Sequence, residues 1–132
     1  AAGGLETALM VFLNGTLKSG IETVLDLVDF DEHLKDVDIV VTGEGATDWQ
    51  SVFGKVMQGV GVHCKKHHIP AVAIIGSMGS GAEDIFDYGI ESIITTVNNI
   101  MPLSDALNHA EELYLGAARR MFRLLKAGMQ MR

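Results

Sequence analysis

Residues 70–77 read Pro70-Ala71-Val72-Ala73-Ile74-Ile75-Gly76-Ser77. The apolar run between Pro70 and Gly76 is too short for a helix and rich in branched side chains, so it predicts a strand buried on both faces. The same pattern recurs on either side. Upstream, Asp36-Val37-Asp38 gives way to the β-branched run Ile39-Val40-Val41, which Gly43 ends. Downstream, Ser92-Ile93-Ile94-Thr95-Thr96-Val97 predicts a third strand. Between them, Phe53, Val56, Met57, Val60 and Cys64 form one face of a helix spanning Gln50 to His67, which places Cys64 in the core. Gly81 to Tyr88 reads as a shorter helix closed by Gly89. From Pro102 to Ala127 a stripe from Ala106 and Leu107 through Tyr114 and Phe122 to Leu125 predicts one long helix, with Gly128 as its cap. Its acidic residues sit early and its basic ones late, which suits the helix dipole. Ahead of the first strand, Leu5 to Lys18 carries helical spacing that Gly20 ends. Ile21, Val24, Leu25 and Val28 then predict a second short helix. Short apolar strands alternating with amphipathic helices make an α/β fold: a three-layer parallel sheet with helices on both faces. A sheet of only three strands is thin, and further strands are expected from another part of the protein or from a partner.

Composition narrows the function. The chain has 132 residues, of which 48% are hydrophobic, enough for one core. Its net charge is −7, which argues against a nucleic-acid partner and against an anionic membrane surface. Cys64 is the single cysteine, so no internal disulfide forms and a reducing, cytoplasmic home is expected. No apolar run reaches the length of a membrane span, and the start lacks the basic region of a signal peptide. Ala1-Ala2-Gly3-Gly4, without an initiator methionine, fits either simple removal of that methionine or a chain that begins inside a loop of a larger protein.

In open parallel sheets, ligands bind beyond the carboxyl ends of the strands. Thr42-Gly43-Glu44-Gly45, Gly76-Ser77-Met78-Gly79 and Asn98-Asn99 are expected there, on one edge. The densest polar cluster follows the first strand: Thr42, Glu44, Thr47, Asp48, Gln50, Ser51 and Lys55. A turn opening a helix presents free N–H groups to a phosphate. Glu44 and Asp48 are the donors a magnesium ion takes. Lys55 either reaches back to a phosphate or is solvated. A plain helix cap by Thr47 or Asp48 competes with this, but it explains neither Glu44 nor the flanking glycines. Standard nucleotide motifs fail: Trp49 stands where the first glycine of a phosphate-binding P-loop belongs, and Val56 where its Ser or Thr belongs. His63 and His67 are spaced to share a metal, yet no acidic residue joins them on that helix face, so cations at a helix C-terminus are the expectation.

The run Thr42-Gly43-Glu44-Gly45, then Asp48, Gln50-Ser51 and Gly54-Lys55, resembles the type I glycerate kinase signature T-G-E-G-R-x-D-x-Q-[ST] followed by G-K-x-P. Ala1-Ala2-Gly3-Gly4-Leu5 is similar to that family's upstream alanine–glycine loop. The Gly76-Ser77 junction and Asp87-Tyr88-Gly89-Ile90 add to the likeness. The resemblance implies an ATP- and Mg2+-dependent transfer of phosphate to D-glycerate. It also implies a two-domain enzyme of which this is the C-terminal portion: residues 1–36 a helical segment continuing from upstream, residues 37–132 a Rossmann-like α/β part. It gives Asp48 and Glu44 metal-holding or substrate-orienting roles, and Lys55 the neutralising of a phosphate or carboxylate. Thr42, Gly43, Gly45, Gln50, Ser51, Gly3, Gly4, Gly76 and Ser77 become substrate- or phosphate-binding positions. Ala46 replaces the family's usual arginine, Met57 its proline, and Glu6 a frequent glycine. Losing that arginine removes a fork for phosphate or carboxylate. A non-catalytic α/β module that binds a phosphorylated metabolite is therefore the alternative. Self-association, or docking of the remainder of the enzyme, is expected at an apolar edge.

Overall fold

The computed structural model describes residues 20–44 and 52–132. In chain order the elements are α1 (Gly20–Leu27), α2 (Phe30–His33), a 3-10 turn (Leu34–Asp36), β1 (Val40–Glu44), α3 (Val52–Lys66), β2 (Ala71–Ile75), a longer 3-10 turn (Ala82–Tyr88), β3 (Ile90–Thr95), α4 (Leu103–Asn108) and α5 (Ala110–Met129). The helix expected between Leu5 and Lys18, and Trp49, lie outside the described residues.

The three strands form one parallel sheet in the order β1-β2-β3. β1 is followed by α3 and β2 by the longer 3-10 turn, each carrying the chain back to start the next strand in the same direction. Every residue of β2 is buried, as its apolar run predicts. Its side chains alternate between two cores. Ala71, Ala73 and Ile75 pack with Met57, Val60 and Cys64 of α3, with Ile85 and Ile90, and with Leu25 and Leu34 from the helical lead-in. Val72 and Ile74 pack on Ala117 and Met121 of α5. The sheet is thus covered on both faces, and Cys64 is fully buried.

α3 ends in a tight wrap. His68 takes a left-handed conformation (φ 59°), Ile69 N–H donates to the Cys64 carbonyl at 2.9 Å, and His68 N–H donates to the Lys65 carbonyl at 3.2 Å. That is the helix-terminating pattern usually built on glycine. Pro70 then forbids any continuation.

Four features differ from expectation. The segment 82–88 is 3-10, not α. β3 starts at Ile90 and stops at Thr95, two residues ahead of the stretch 92–97. Gly89, at φ 96°, turns the chain directly into the sheet, so Ile90 pairs with Ala71. Ser92 then pairs with Val72, leaving Glu91 as an extra residue in the ladder. The closing helix breaks at His109, whose φ of −114° and ψ of 23° leave the helical region. The His109 imidazole Nδ1–H donates to the Asp105 carbonyl at 2.9 Å, and Leu113 N–H restarts the ladder on the His109 carbonyl at 2.9 Å. A side chain serving the backbone here competes with a regular turn. α5 runs through Gly128 to Met129, so Gly128 is not its cap.

Candidate functional site

A cleft of about 740 Å³ opens beyond the carboxyl ends of the three strands. Gly43 stands at the end of β1, Gly76 and Ser77 follow β2, and Thr96 and Val97 follow β3. The side wall comes from Leu103, Ala106 and Leu107 of α4 and from Ala110, Glu111 and Tyr114 of α5. The two helices of this wall meet at the break at His109. The floor is held past the end of the strands by two more ladder bonds, Thr96 N–H to the Ile75 carbonyl at 2.8 Å and Val97 N–H to the Gly76 carbonyl at 3.1 Å. Arg120 reaches across from α5 and donates to the Thr95 carbonyl at 2.7 Å. A guanidinium on a strand's last carbonyl ties the helix layer to the rim of the cleft.

Of the positions singled out in the sequence, Gly43, Gly76 and Ser77 meet in this cleft. Thr42 is one residue further back, paired with Ala73 in the sheet. Glu44 is the last residue of β1, paired with Ile75, at the same carboxyl edge. Lys55 lines a different, shallower groove with Ile21, Glu22, Gln58, Gly59, Val62 and Tyr88. Gly3, Gly4, Gly45, Asp48, Gln50 and Ser51 lie outside the described residues. Sequence reasoning placed the third strand's exit at Asn98-Asn99; the strand ends earlier, so Thr96 and Val97 take that place. It also read Leu107 and Tyr114 as core stripe, but they are 64% and 47% exposed and line the cleft. The signal that could have found them is the stripe's width: Ala106 to Leu125 is broader than one packing face needs.

A second polar cluster gathers at the helix-end histidines, with acids that their own helix face does not supply. The acids come from other elements. His63 Nδ1 lies 2.7 Å from Asp31 Oδ1 of α2, and its Nε2 lies 2.8 Å from Glu22 Oε2 of α1. His67 Nε2 is 3.6 Å from the same Asp31 oxygen, too long for a hydrogen bond. Among the described residues no group of His, Cys, Asp or Glu is arranged to hold a metal ion. Burial disfavours charge on His63, but the hydrogen bonds to Asp31 and Glu22 outweigh it, so its pKa is raised above 6.5. The hydrogen bond from His63 in turn holds the Asp31 carboxyl below its usual 3.8. Asp31 and Glu22 together therefore tie α2 and α1 to α3 through His63.

The linkage follows from these directions. The His63 contribution is complete below pH 6.5, its unfolded value, and is lost as pH rises through the raised folded pKa. The Asp31 contribution is complete above 3.8 and is lost as pH falls through its lowered pKa. His63→Gln is expected to cost about 1–2 kcal/mol at pH 5.5 and distinctly less at pH 9. Urea unfolding of both proteins at the two pH values measures this. An equal loss at both would show that His63 acts by packing alone.

The comparisons with known proteins agree with one another. The model of the glycerate kinase family matches residues 1–126. The chain is 42% identical over 121 residues to a glycerate kinase of Halalkalibacterium halodurans, covering 92% of this chain and 32% of that protein. It is 38% identical over 130 residues to the glycerate 2-kinase of Escherichia coli, covering 98% of this chain and 34% of that one. A crystal structure of a glycerate kinase 2 from Salmonella typhimurium LT2 superposes with a TM-score of 0.71 at 36% identity, over 99% of this chain and 33% of that one. The chain thus spans about a third of the length of these relatives. With a family model matching nearly end to end and a shared fold at this identity, the chain belongs to the glycerate kinase family.

Proposed function

We propose that the chain forms part of an enzyme that transfers the γ-phosphate of ATP to D-glycerate, giving phosphoglycerate, with Mg2+ as its metal. The observation that carries this reading is the cleft at the carboxyl edge, where Gly43 of the family signature meets Gly76 and Ser77. Phosphoryl transfer asks a protein for positioning and charge neutralisation more than for covalent chemistry. Glycine backbone at a strand's end lets N–H groups approach an oxygen closely, and the Ser77 hydroxyl adds a donor. Two carboxylates are the donor set magnesium takes, and β1 ends on Glu44 at this edge. Glu44 and Asp48 would hold the ion, which when bound neutralises charge on the phosphates. Lys55 faces another groove and has no part in this reading. A reducing cytoplasm supplies ATP and keeps Cys64 as the thiol.

The test is 31P NMR of the protein, expressed from its full reading frame, with ATP, Mg2+ and D-glycerate. A new phosphomonoester is expected, formed in step with ADP. Its proton coupling also identifies the hydroxyl: a doublet for the secondary position, a triplet for the primary one. ATP consumed with glycerate left unphosphorylated would overturn the assignment.

A further inference from the structure

The cleft's chemistry discriminates between the two substrates that this kinase reading supplies. Its described walls hold no lysine or arginine, and their one ionisable acid is Glu111. At the rim the Arg120 guanidinium is engaged by the Thr95 carbonyl, and the Glu111 carboxylate on the wall repels a triphosphate and the carboxylate of glycerate alike. Leu103, Leu107 and Tyr114 line it while remaining 63%, 64% and 47% exposed, so a large apolar surface is presented inside a concavity. Exposed apolar area gathered in a cleft marks a binding site, and about 740 Å³ is the size of a pocket for a drug-sized ligand. A molecule as small and hydrophilic as glycerate would leave that surface wet. A β-carbon at Gly43 would lie 4.0 Å from Tyr114 Cε2, so the phenol ring stands at the end of β1.

We propose that this cleft takes the nucleoside half of ATP, with Tyr114 as the stacking platform for the base, and that glycerate binds outside it. The assignment rests on the kinase reading only for the choice of nucleotide. Apolar walls and an aromatic ring suit a flat purine, which has a π-face whatever its edge carries. The carboxylate of Glu111 suits ribose hydroxyls, which donate to it without bringing charge. The Thr96 hydroxyl, which donates to the Gly76 carbonyl at 3.4 Å, can still accept from the nucleoside and orient it, while Gly43, Gly76 and Ser77 at the strand ends are left to the phosphates. The phosphates then point away from Glu111.

The experiment uses the full-length protein and adenosine as the probe, titrated by calorimetry, with the KM values for ATP and glycerate measured beside it. Tyr114→Ala is expected to weaken adenosine binding about tenfold or more, while Tyr114→Phe retains it. The KM for ATP rises in parallel and the KM for glycerate stays put. Ala106→Trp fills the cleft from α4 and is expected to abolish adenosine binding in a protein whose circular dichroism is unchanged. Adenosine bound equally by the wild type, Tyr114→Ala and Ala106→Trp would overturn the proposal, as would a rise confined to the KM for glycerate. Failure of the two readings is separable. A protein that binds adenosine through Tyr114 but leaves glycerate unphosphorylated keeps the nucleoside site and loses the reaction. One that phosphorylates glycerate yet ignores Tyr114 keeps the reaction and loses the site.

Discussion

Gly61→Ala is expected to cost the folded chain about 3 kcal/mol or more, among the larger single-residue effects available in it. Gly61 lies in α3, where alanine is ordinarily the better residue by roughly 1 kcal/mol. Here the helix and the turn before β3 touch through their backbones. A β-carbon on Gly61 would collide with the Tyr88 carbonyl oxygen, and one on Gly89 with the Gly61 carbonyl oxygen. Both obstacles are main chain, which cannot swing aside as a side chain does. Relief requires α3 to lift off the core that holds Met57, Val60 and Cys64. Gly89→Ala is worse placed, because its φ of 96° adds a left-handed penalty of about 1–2 kcal/mol. Urea midpoints of the two variants and of Gly20→Ala, whose position has open space, measure this. Stability equal to wild type in Gly61→Ala would mean the two backbones are not in contact in solution.

The second large effect is on turnover. Asp48→Asn in the full-length enzyme is expected to lower kcat by about a hundredfold or more, since an amide neither ligates magnesium well nor takes a proton. Asp48 falls between the end of β1 and the start of α3, the stretch that carries the family signature. A capping role makes the opposite forecast: kcat unchanged and a stability loss of about 1 kcal/mol or less, because asparagine also caps. Measuring kcat at saturating Mg2+ together with the unfolding midpoint separates the two outcomes.

The fold was legible because its strongest signals are local. The all-apolar stretch 71–75 and the spacing of Met57, Val60 and Cys64 determine which residues are buried, and burial determines which faces meet. The two-sided sheet follows from β2, whose alternate residues feed two cores. Gly43, Gly76 and Ser77 were legible as neighbours because the carboxyl ends of parallel strands share one edge, and there they line one cleft. What stayed hidden depended on contacts between distant segments. Nothing near His63 in sequence announces Asp31 or Glu22, which arrive from helices 32 and 41 residues earlier. The break at His109, inside a stripe that reads as one continuous helix, hid the cleft wall to which Leu107 belongs.

The burial of Cys64 gives the chain a built-in clock. It is the only cysteine in the sequence, it has no exposed surface, and burial pushes its thiol up to about 11. Thiol reagents attack the thiolate, so in the closed structure Cys64 is shielded twice, by access and by protonation. Any labelling that does occur counts openings of the layer between α3 and the sheet. When reclosing outpaces labelling, the rate gives the free energy of that opening, with no added probe and no second thiol to confuse the signal.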